Sequence, residues 1–296
     1  MPGRVLITGI SGFTGPYVRA ALESRGHQVV GLADHPGRGA ADRAVDLLDA
    51  DAVRRFIGAE SFDYVVHLAA VSFVAHETAA DYYRVNVLGT LNLLEALAAG
   101  PGKLKKVVLA SSANVYGRPV RSPVDESAAP APMNHYGVSK LAMELMAGTW
   151  FDRLPILITR PFNYSGVGQS AKFVLPKVVG HFRDRARTIE LGDTAVVREF
   201  MDVRDVADVY AALLESAATS QAVNLCAGQG YRLDEILEKL GALTGVAAPR
   251  IKRAPGLVRS NEIPHLVGSP ARLRSLLPSA AFRPLEETLR WMLGGR

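Results

Sequence analysis

The first half of the chain alternates short apolar runs with segments whose apolar residues recur every three or four positions. The runs are typical of buried strands, and the three-to-four spacing is typical of amphipathic helices. The pattern predicts strands over residues 4–8, 28–32, 62–68, 106–110 and 155–159. Between them it predicts helices over residues 14–24, 51–57, 79–99 and 136–150. Such alternation indicates a parallel sheet built through right-handed crossovers.

The predicted strands are continuously apolar, as in the Val-Val-Leu-Ala run at 107–110, which is typical of strands covered on both faces. We therefore expect an α/β fold with a Rossmann-type, doubly wound parallel sheet. The regular alternation of predicted strands and helices ends after residue 162. Helices are then predicted over 174–185, 203–216, 233–243 and 285–293, with a strand at 223–226.

This change indicates a smaller, discontinuous C-terminal α/β lobe at the carboxyl edge of the sheet, where ligands of such folds bind. We expect residues 1–162 and about 197–220 to form the Rossmann domain. Residues of about 163–196 and 221–296 are expected to form the substrate lobe.

Three glycines, Gly9, Gly12 and Gly15, lie between the first predicted strand and the first helix, with Phe13 and Thr14 among them. Glycine lets the backbone turn sharply and approach a pyrophosphate, and a helix N-terminus offers free N–H groups to it. The spacing is GxxGxxG, and tight turns also use glycine. Its place after a strand and before a helix favours a dinucleotide site.

Asp34 follows the second strand, where an acid can bond the adenosine ribose, whereas Arg38 could pair with a 2′-phosphate. An ordinary exposed loop explains both residues equally well, so the choice between NAD(H) and NADP(H) stays open. Asp46 and Leu47 are expected near the adenine. The small residues of the Leu68-Ala69-Ala70 segment would let a dinucleotide lie close to the third strand.

Tyr136 and Lys140 are four residues apart on a predicted helix and so project from one face. A nearby ammonium favours the phenolate and is expected to lower the pKa of Tyr136, which suits a general acid at a carbonyl oxygen. Ser112, at the end of the fourth strand, can hydrogen-bond the same oxygen. Each feature alone also has a purely structural explanation, but the combination is improbable by chance.

With the Val85–Thr90 and Arg160–Asn163 segments added, these motifs resemble the extended short-chain dehydrogenase/reductases that act on nucleotide-diphospho-sugars, over essentially the whole chain. The resemblance implies a nicotinamide cofactor, with Ser112, Tyr136 and Lys140 catalytic. It implies that Asn86 helps to hold the active-site helices and that Lys140 and Pro161 contact the cofactor. It also implies a homodimer, which helices 79–99 and 136–150 could form as a four-helix interface.

The second lobe resembles the branch that acts on GDP-mannose derivatives, through residues 160–169, 198–206 and 259–268. Arg198 and Arg259 carry guanidinium forks suited to a diphosphate, although surface salt bridges would also explain them. Phe173, Val174 and Lys177 are candidates for the wall of the base pocket, with core packing and a solvated lysine as alternatives. The remaining residues assigned to the substrate site are Ser72, Val74, Asn114, Asn163 and Glu262.

Two departures from this branch affect the prediction. Asn114 stands where the sugar dehydratases need an acid, and an amide cannot transfer the proton. Gly268-Ser269 replaces the usual Gly-Asp. The segment 198–206 is most similar to the reductases of this branch, so the resemblance implies a GDP-sugar 4-keto reductase that makes GDP-rhamnose or its C4 epimer, GDP-6-deoxytalose. A nucleotide-sugar 4-epimerase with retained NAD is the main alternative; a dehydratase or a non-catalytic NAD(P)-binding sensor is disfavoured.

The composition of the chain excludes several classes of protein and kinds of site. Of the 296 residues, 48% are hydrophobic and 21% charged, which excludes a disordered chain or a coiled coil. Cys226, the single cysteine, indicates neither a disulfide nor a cysteine-based metal site. Residues 250–296 hold nine Lys or Arg against three Glu. A solvated surface or an anionic small-molecule site explains this better than nucleic acid, because no nucleic-acid motif accompanies it. Without a signal peptide or a run long enough to span a membrane, we expect a cytoplasmic protein.

Overall fold

The computed structural model describes residues 2–35, 39–73, 78–254 and 263–295. Its strands are β1 (Arg4–Thr8), β2 (Gln28–Ala33), β3 (Arg43–Ala44), β4 (Tyr64–His67), β5 (Lys106–Ala110), β6 (Ile156–Pro161), β7 (Tyr164–Ser165), β8 (Thr188–Leu191), β9 (Val197–Glu199), β10 (Met201–Asp202), β11 (Gln221–Leu225), β12 (Gly230–Arg232), β13 (Arg250–Arg253) and β14 (His265–Leu266).

The α-helices are α1 (Gly15–Glu23), α2 (Ala50–Ala59), α3 (Ala79–Tyr83), α4 (Thr90–Ala99), α5 (His135–Gly148), α6 (Val174–Arg183), α7 (Val203–Glu215), α8 (Leu233–Thr244), α9 (Ala271–Leu276) and α10 (Leu285–Gly294). A π-helical segment (Arg84–Gly89) joins α3 to α4, and a short 3₁₀ turn (Ala113–Tyr116) follows β5. Across the described parts of the chain, no helix has the length and apolar character to cross a membrane.

Seven strands form one parallel sheet in the order β11-β6-β5-β4-β1-β2-β3. The order runs outward on both sides of β1, so the sheet is doubly wound as predicted. This arrangement brings the carboxyl ends of β1, β4, β5 and β6 to one edge, and ligands of open α/β sheets bind at that edge.

Helices cover both faces of the sheet, which is why its strands are apolar throughout. On one face, α1 and α7 pack through residues such as Val18, Leu22 and Val206. On the other face, α2, α4 and α5 pack through residues such as Leu94 and Met143. Because both faces are dry, the sheet forms a rigid base for the residues at its carboxyl edge.

The second lobe is built from small sheets and its own core. β9 pairs with β12 and β14, β8 pairs with β13, and β7 pairs with β10. Helices α6, α8 and α10 pack together around Phe182, Ile236 and Leu289. The lobe is therefore a separate hydrophobic unit set against the main sheet, in agreement with the predicted fold class.

Two segments lie on the other side of the domain division that we expected. Residues 221–225 form β11, the edge strand of the main sheet beside β6, although they were assigned to the lobe. Conversely, residues 197–199 form β9 and pair with lobe strands, although they were assigned to the Rossmann domain. Strand pairing over a long sequence separation decides both cases, and periodicity along the chain does not report it.

Candidate functional site

A cleft of about 1150 Å³ runs along the carboxyl edge of the sheet and continues into the lobe. Small-molecule sites usually have volumes of about 300–1000 Å³, so this cleft has room for a dinucleotide and a second ligand together. Every described residue that we assigned to the site lines it: Gly9, Gly12, Phe13, Thr14, Gly15, Asp34, Asp46, Leu47, Leu68, Ala69, Ala70, Ser72, Ser112, Asn114, Tyr136, Lys140, Pro161, Asn163, Phe173, Val174, Lys177 and Arg198.

Four assigned residues, Arg38, Val74, Arg259 and Glu262, lie outside the described residues, so their assignment stays a prediction. We predicted that Arg38 could pair with a 2′-phosphate, so the choice between NAD(H) and NADP(H) stays open. The diphosphate-binding role expected of Arg259 is untested for the same reason.

The glycine loop has no room for side chains at two of its three glycines. A Cβ atom on Gly9, whose φ is +69°, would lie 2.7 Å from the backbone nitrogen of Ala69. A Cβ on Gly15 would lie 2.5 Å from the carbonyl oxygen of Ile10. The loop thus packs against the backbone that follows β4 and leads directly into the N-terminus of α1. This close-packed backbone cradle fits the pyrophosphate of a dinucleotide.

The far end of the cleft is lined by the residues that we expected beside an adenosine. Asp34 follows β2, and its side chain is 78% exposed, so its carboxylate is accessible to a ribose. Asp46 accepts a hydrogen bond from the backbone of Leu48, and the Leu47 carbonyl accepts one from Asn92. These bonds fix the Asp46-Leu47 segment beside the cleft.

Ser112, Tyr136 and Lys140 meet on the cleft floor, where β5 ends and α5 begins. The Ser112 side chain lies near enough to the Tyr136 hydroxyl to stabilise its phenolate form. The Lys140 ammonium donates to the carbonyl oxygen of Ala110 at 2.7 Å. Asn134 starts α5 by accepting a hydrogen bond from the Gly137 N–H at 2.8 Å, which fixes the turn that carries Tyr136.

Burial dominates the protonation of this group. It raises the pKa of Tyr136 to about 12, with the Ser112 hydrogen bond acting in the opposite direction. It lowers the pKa of Lys140 to about 8, with Glu144 opposing the change. We expected the pKa of Tyr136 to be lowered, and that expectation is wrong for this structure, because desolvation of the phenol is the largest influence on this pKa and raises it. At neutral pH Tyr136 holds its proton and is equipped to donate it.

Asn86 ties the cleft wall to α5 from within the π-helical segment. Its amide oxygen accepts from the Val71 N–H at 2.9 Å. Its Nδ2 donates to the Val71 carbonyl at 3.2 Å and to the Ser139 hydroxyl at 3.0 Å. Because Ser139 precedes Lys140, these bonds fix the helix that carries the tyrosine and lysine, consistent with the role implied by the resemblance.

Asn114 contacts the cleft beside Ser112. Its backbone N–H and its side-chain amide both lie 3.1 Å from the Ser112 hydroxyl oxygen and donate to it. The amide therefore orients the serine hydroxyl. Because the Asn114 side chain is an amide, this position has no group that can take up or release a proton.

The lobe side of the cleft combines aromatic and cationic groups. Phe173 makes an edge-to-face contact with Phe73, their ring centroids 5.8 Å apart. Lys177 donates to the Glu190 carbonyl at 2.6 Å, and Arg198, on β9, donates to the Val197 carbonyl at 2.8 Å. A planar base and a diphosphate are the groups that such a wall would accommodate.

Phe73 and Tyr164 are among the cleft residues that sequence reasoning did not assign. Phe73 lies in the loop after β4, and no motif marked it. Tyr164 lies within a motif that we used for the resemblance, but we gave it no role. Its hydroxyl lies 2.8 Å from that of Thr14 in the glycine loop, a pairing that no local pattern reveals. Cys226 is fully buried, and burial raises the pKa of its thiol.

Comparison with known proteins agrees with this geometry. The sequence profile of the "NAD dependent epimerase/dehydratase family" matches residues 5–226. GDP-6-deoxy-D-talose 4-dehydrogenase of Aggregatibacter actinomycetemcomitans is 32% identical, covering 93% of this chain and 91% of its own length. GDP-6-deoxy-D-mannose reductase of Pseudomonas aeruginosa is 33% identical, covering 99% of this chain and 97% of its own length.

Two solved structures superpose over nearly the whole chain. A proposed epimerase from Burkholderia cenocepacia J2315 has a TM-score of 0.91 and 43% identity, covering 98% of this chain and 96% of its own. RMD from Pseudomonas aeruginosa, complexed with NADPH, has a TM-score of 0.85 and 31% identity, covering 98% of this chain and 97% of its own. The resemblance drawn from the motifs is thereby confirmed, and the chain belongs to the NAD dependent epimerase/dehydratase family, whose members are NAD(P)-dependent enzymes of nucleotide sugars.

Proposed function

We propose that this protein uses NAD(P)H to reduce the C4 keto group of GDP-4-keto-6-deoxy-D-mannose. The product would be GDP-D-rhamnose or its C4 epimer, GDP-6-deoxy-D-talose. The observation that carries the proposal is the meeting of Ser112, Tyr136 and Lys140 on the floor of a cleft that begins at the glycine loop. The names of two relatives, a 4-dehydrogenase and a reductase of GDP-6-deoxysugars, support the substrate class.

In the proposed reaction, a reduced nicotinamide cofactor held in the cleft would supply the hydride that reduces C4 of the sugar. Tyr136 donates its phenolic proton to the C4 oxygen, so that the carbonyl becomes a hydroxyl. Ser112 hydrogen-bonds the same oxygen and stabilises the negative charge that develops there. Lys140 would hold the nicotinamide ribose, and its ammonium stabilises the phenolate that remains on Tyr136.

The protonation of the site suits reduction. Burial keeps Tyr136 protonated at neutral pH, with a pKa of about 12, so the phenol starts as the acid. Water around the site would screen the charge that develops during proton transfer. The cleft floor excludes most of this water, since Tyr136 is 9% and Lys140 3% exposed.

The substrate would enter from the lobe. Arg198 lines the lobe side of the cleft. In this proposal it would hold the diphosphate together with Arg259. Phe173, Val174 and Lys177 would surround the base at the start of α6. The Rossmann domain, which includes β11, would thus bind the cofactor, and the lobe, which includes β9, would bind the sugar nucleotide.

Asn114 weighs against 4,6-dehydration. It lines the cleft, and by the resemblance it stands where the dehydratases carry the acid that removes water across C5 and C6. A 4-epimerase remains the second candidate, favoured by the similarity to the proposed Burkholderia epimerase. An epimerase keeps its cofactor and returns the hydride, whereas a reductase releases the oxidised cofactor in each turnover.

We further propose that the protein is a homodimer whose two copies meet through α5 and the π-helical segment beside it. Leu88, Val138 and Leu145 lie on these two elements and are 51%, 38% and 67% exposed. Apolar side chains on adjacent helices are typical of an interface between copies.

The test is to follow NADPH and NADH absorbance with GDP-4-keto-6-deoxy-D-mannose, using the wild type and Tyr136→Phe. Stoichiometric oxidation by the wild type, reduced by roughly 10²-fold or more in the variant, supports the reductase. NMR of the product then identifies the C4 configuration. If the folded wild type consumes neither cofactor and purifies with bound NAD, the 4-epimerase replaces the reductase.

A further inference from the structure

Beneath the cleft floor lies a buried charged group that the proposed reaction does not use. Glu144 is one helical turn after Lys140 on α5, so both side chains leave the same face of the helix. Glu144 and Arg160, on β6, are each 7% exposed. A buried carboxylate beside a buried ammonium of the active site needs a physical explanation, because burying each charge alone is costly.

The Glu144 carboxylate is fixed in place from two strands. Arg160 donates to it through Nε at 3.0 Å and through Nη2 at 2.6 Å. Ser111, adjacent to Ser112 at the end of β5, donates its hydroxyl to the same carboxylate. Arg160 is in turn held by the Tyr116 hydroxyl, which accepts from Nη1 at 2.9 Å. The carboxylate therefore has little freedom to move away from α5.

Several titratable groups surround the Lys140 ammonium. Tyr136 and Glu144 lie on its own helix, His67 on β4 and Arg160 on β6 behind Glu144. Burial lowers the pKa of His67 to about 3, so this ring is neutral. Tyr136 is neutral as well. Among these neighbours, Glu144 supplies the negative charge.

We propose that Glu144 is a positioning residue, whose fixed carboxylate keeps the buried Lys140 ammonium charged. Arg160 holds this carboxylate and also limits its effect by neutralising part of its charge. The mechanistic value of a charged Lys140 rests on the proposed reduction, but the charge itself does not.

The influences on the Lys140 pKa have the signs that this proposal requires. Desolvation lowers the pKa of Lys140 to about 8, and the charge of Glu144 is the influence that opposes this loss. Without the carboxylate, desolvation would act alone and the unpaired Arg160 would add repulsion. Both effects favour loss of the lysine proton near neutral pH.

The test is a direct titration of Lys140 in the full chain without ligands, using lysines labelled with ¹³C at Cε. Lys140→Met identifies the resonance. In Glu144→Gln the Lys140 pKa should fall by about one pH unit, because the variant leaves the buried ammonium with one negative charge fewer on its own helix face. In Arg160→Gln it should rise, because the carboxylate is no longer neutralised. Ser111→Ala, which removes a contact of the same carboxylate without changing any charge, is the matched control and should leave it nearly unchanged.

A lower Lys140 pKa in Glu144→Gln and a higher one in Arg160→Gln support the proposal, because a purely structural disturbance would not shift this pKa in opposite directions. An unchanged Lys140 titration in either variant, with a cooperative unfolding transition preserved, overturns it. So does a wild-type Lys140 that is already deprotonated at neutral pH, a result that needs no variant. Activity separates the two proposals: opposite shifts without NAD(P)H oxidation leave Glu144's role standing and reject the reductase, and the reverse result rejects the role alone.

Discussion

The hydroxyls of Thr14 and Tyr164 lie 2.8 Å apart although 150 residues separate them in the chain. The bond joins the glycine loop to the segment that follows β6. The Phe13 ring stacks on Tyr164 with centroids 6.1 Å apart, and Tyr17 of α1 donates its hydroxyl to the Val167 carbonyl at 2.7 Å. These contacts hold the loop that would bind the pyrophosphate against the lobe side of the cleft.

This contact predicts a measurable coupling between the two residues. Thr14→Val and Tyr164→Phe each remove one hydroxyl and keep most of the side-chain volume. Each should reduce the free energy of unfolding by about 1 kcal/mol, and the double variant should lose clearly less than the sum. Urea unfolding of all four proteins measures the coupling. Strict additivity would show that the hydroxyl contact contributes nothing.

The glycine loop gives a second prediction, with an internal control. In Gly15→Ala the new methyl group would lie 2.5 Å from the Ile10 carbonyl oxygen, so the loop must shift. We expect a loss of about 1–3 kcal/mol in the free energy of unfolding and weaker NADPH binding. Gly58→Ala, on α2, places its methyl in open space and should stabilise the protein by up to about 1 kcal/mol.

Thermal unfolding and fluorescence titration with NADPH separate the two glycine variants. If Gly15→Ala binds the cofactor as tightly as the wild type does, the loop does not need this glycine for binding.

The glycine loop and the Tyr136/Lys140 pair were predictable because each lies within one short segment with a characteristic spacing. The contacts around them were not. Glu144 meets Arg160 from a different strand, and Thr14 meets Tyr164 from the far side of the cleft. Such pairs depend on the strand order, which periodicity along the chain does not encode.

The length of each element explains which ones were missed. The long, apolar strands of the main sheet were predicted within a few residues of their observed bounds. Strands of two to four residues, such as β7 and β14, hold too few positions to show alternation. The helix α9 has only six residues, and its inward contact is Leu273 against the main sheet.

Glu199 predicts a specific dependence of stability on pH. It is 1% exposed and accepts hydrogen bonds from the backbone N–H groups of Ala227, Gly228, Gln229 and Gly268. Burial outweighs these bonds and raises its pKa from 4.5 to about 7. A group with a raised pKa stabilises the fold fully below its unfolded value and loses that contribution as the pH rises through its folded value.

We therefore expect the free energy of unfolding of the wild type, relative to Glu199→Gln, to fall between about pH 4.5 and pH 7 and to stay level above that. The pKa change corresponds to about 3 kcal/mol in total. Urea unfolding across this pH range measures the difference, and Glu95→Gln, at an exposed position on α4, controls for the loss of one negative charge. A difference that rises with pH would show that the pKa of Glu199 is lowered by folding and not raised.

The proposed dimer predicts a change in mass from a single surface substitution. Leu145 is 67% exposed on α5, and burying it against a second copy would remove apolar surface from water. In Leu145→Glu each interface would have to bury two uncompensated carboxylates, so the dimer should dissociate into monomers that keep the wild-type fold. Val120→Glu is the control, because Val120 is fully exposed and lies between the 3₁₀ turn and α5, outside the proposed interface. Light scattering on a size-exclusion column gives the masses: a halved mass for Leu145→Glu alone supports the interface, and an unchanged mass would place the contact elsewhere or reject the dimer.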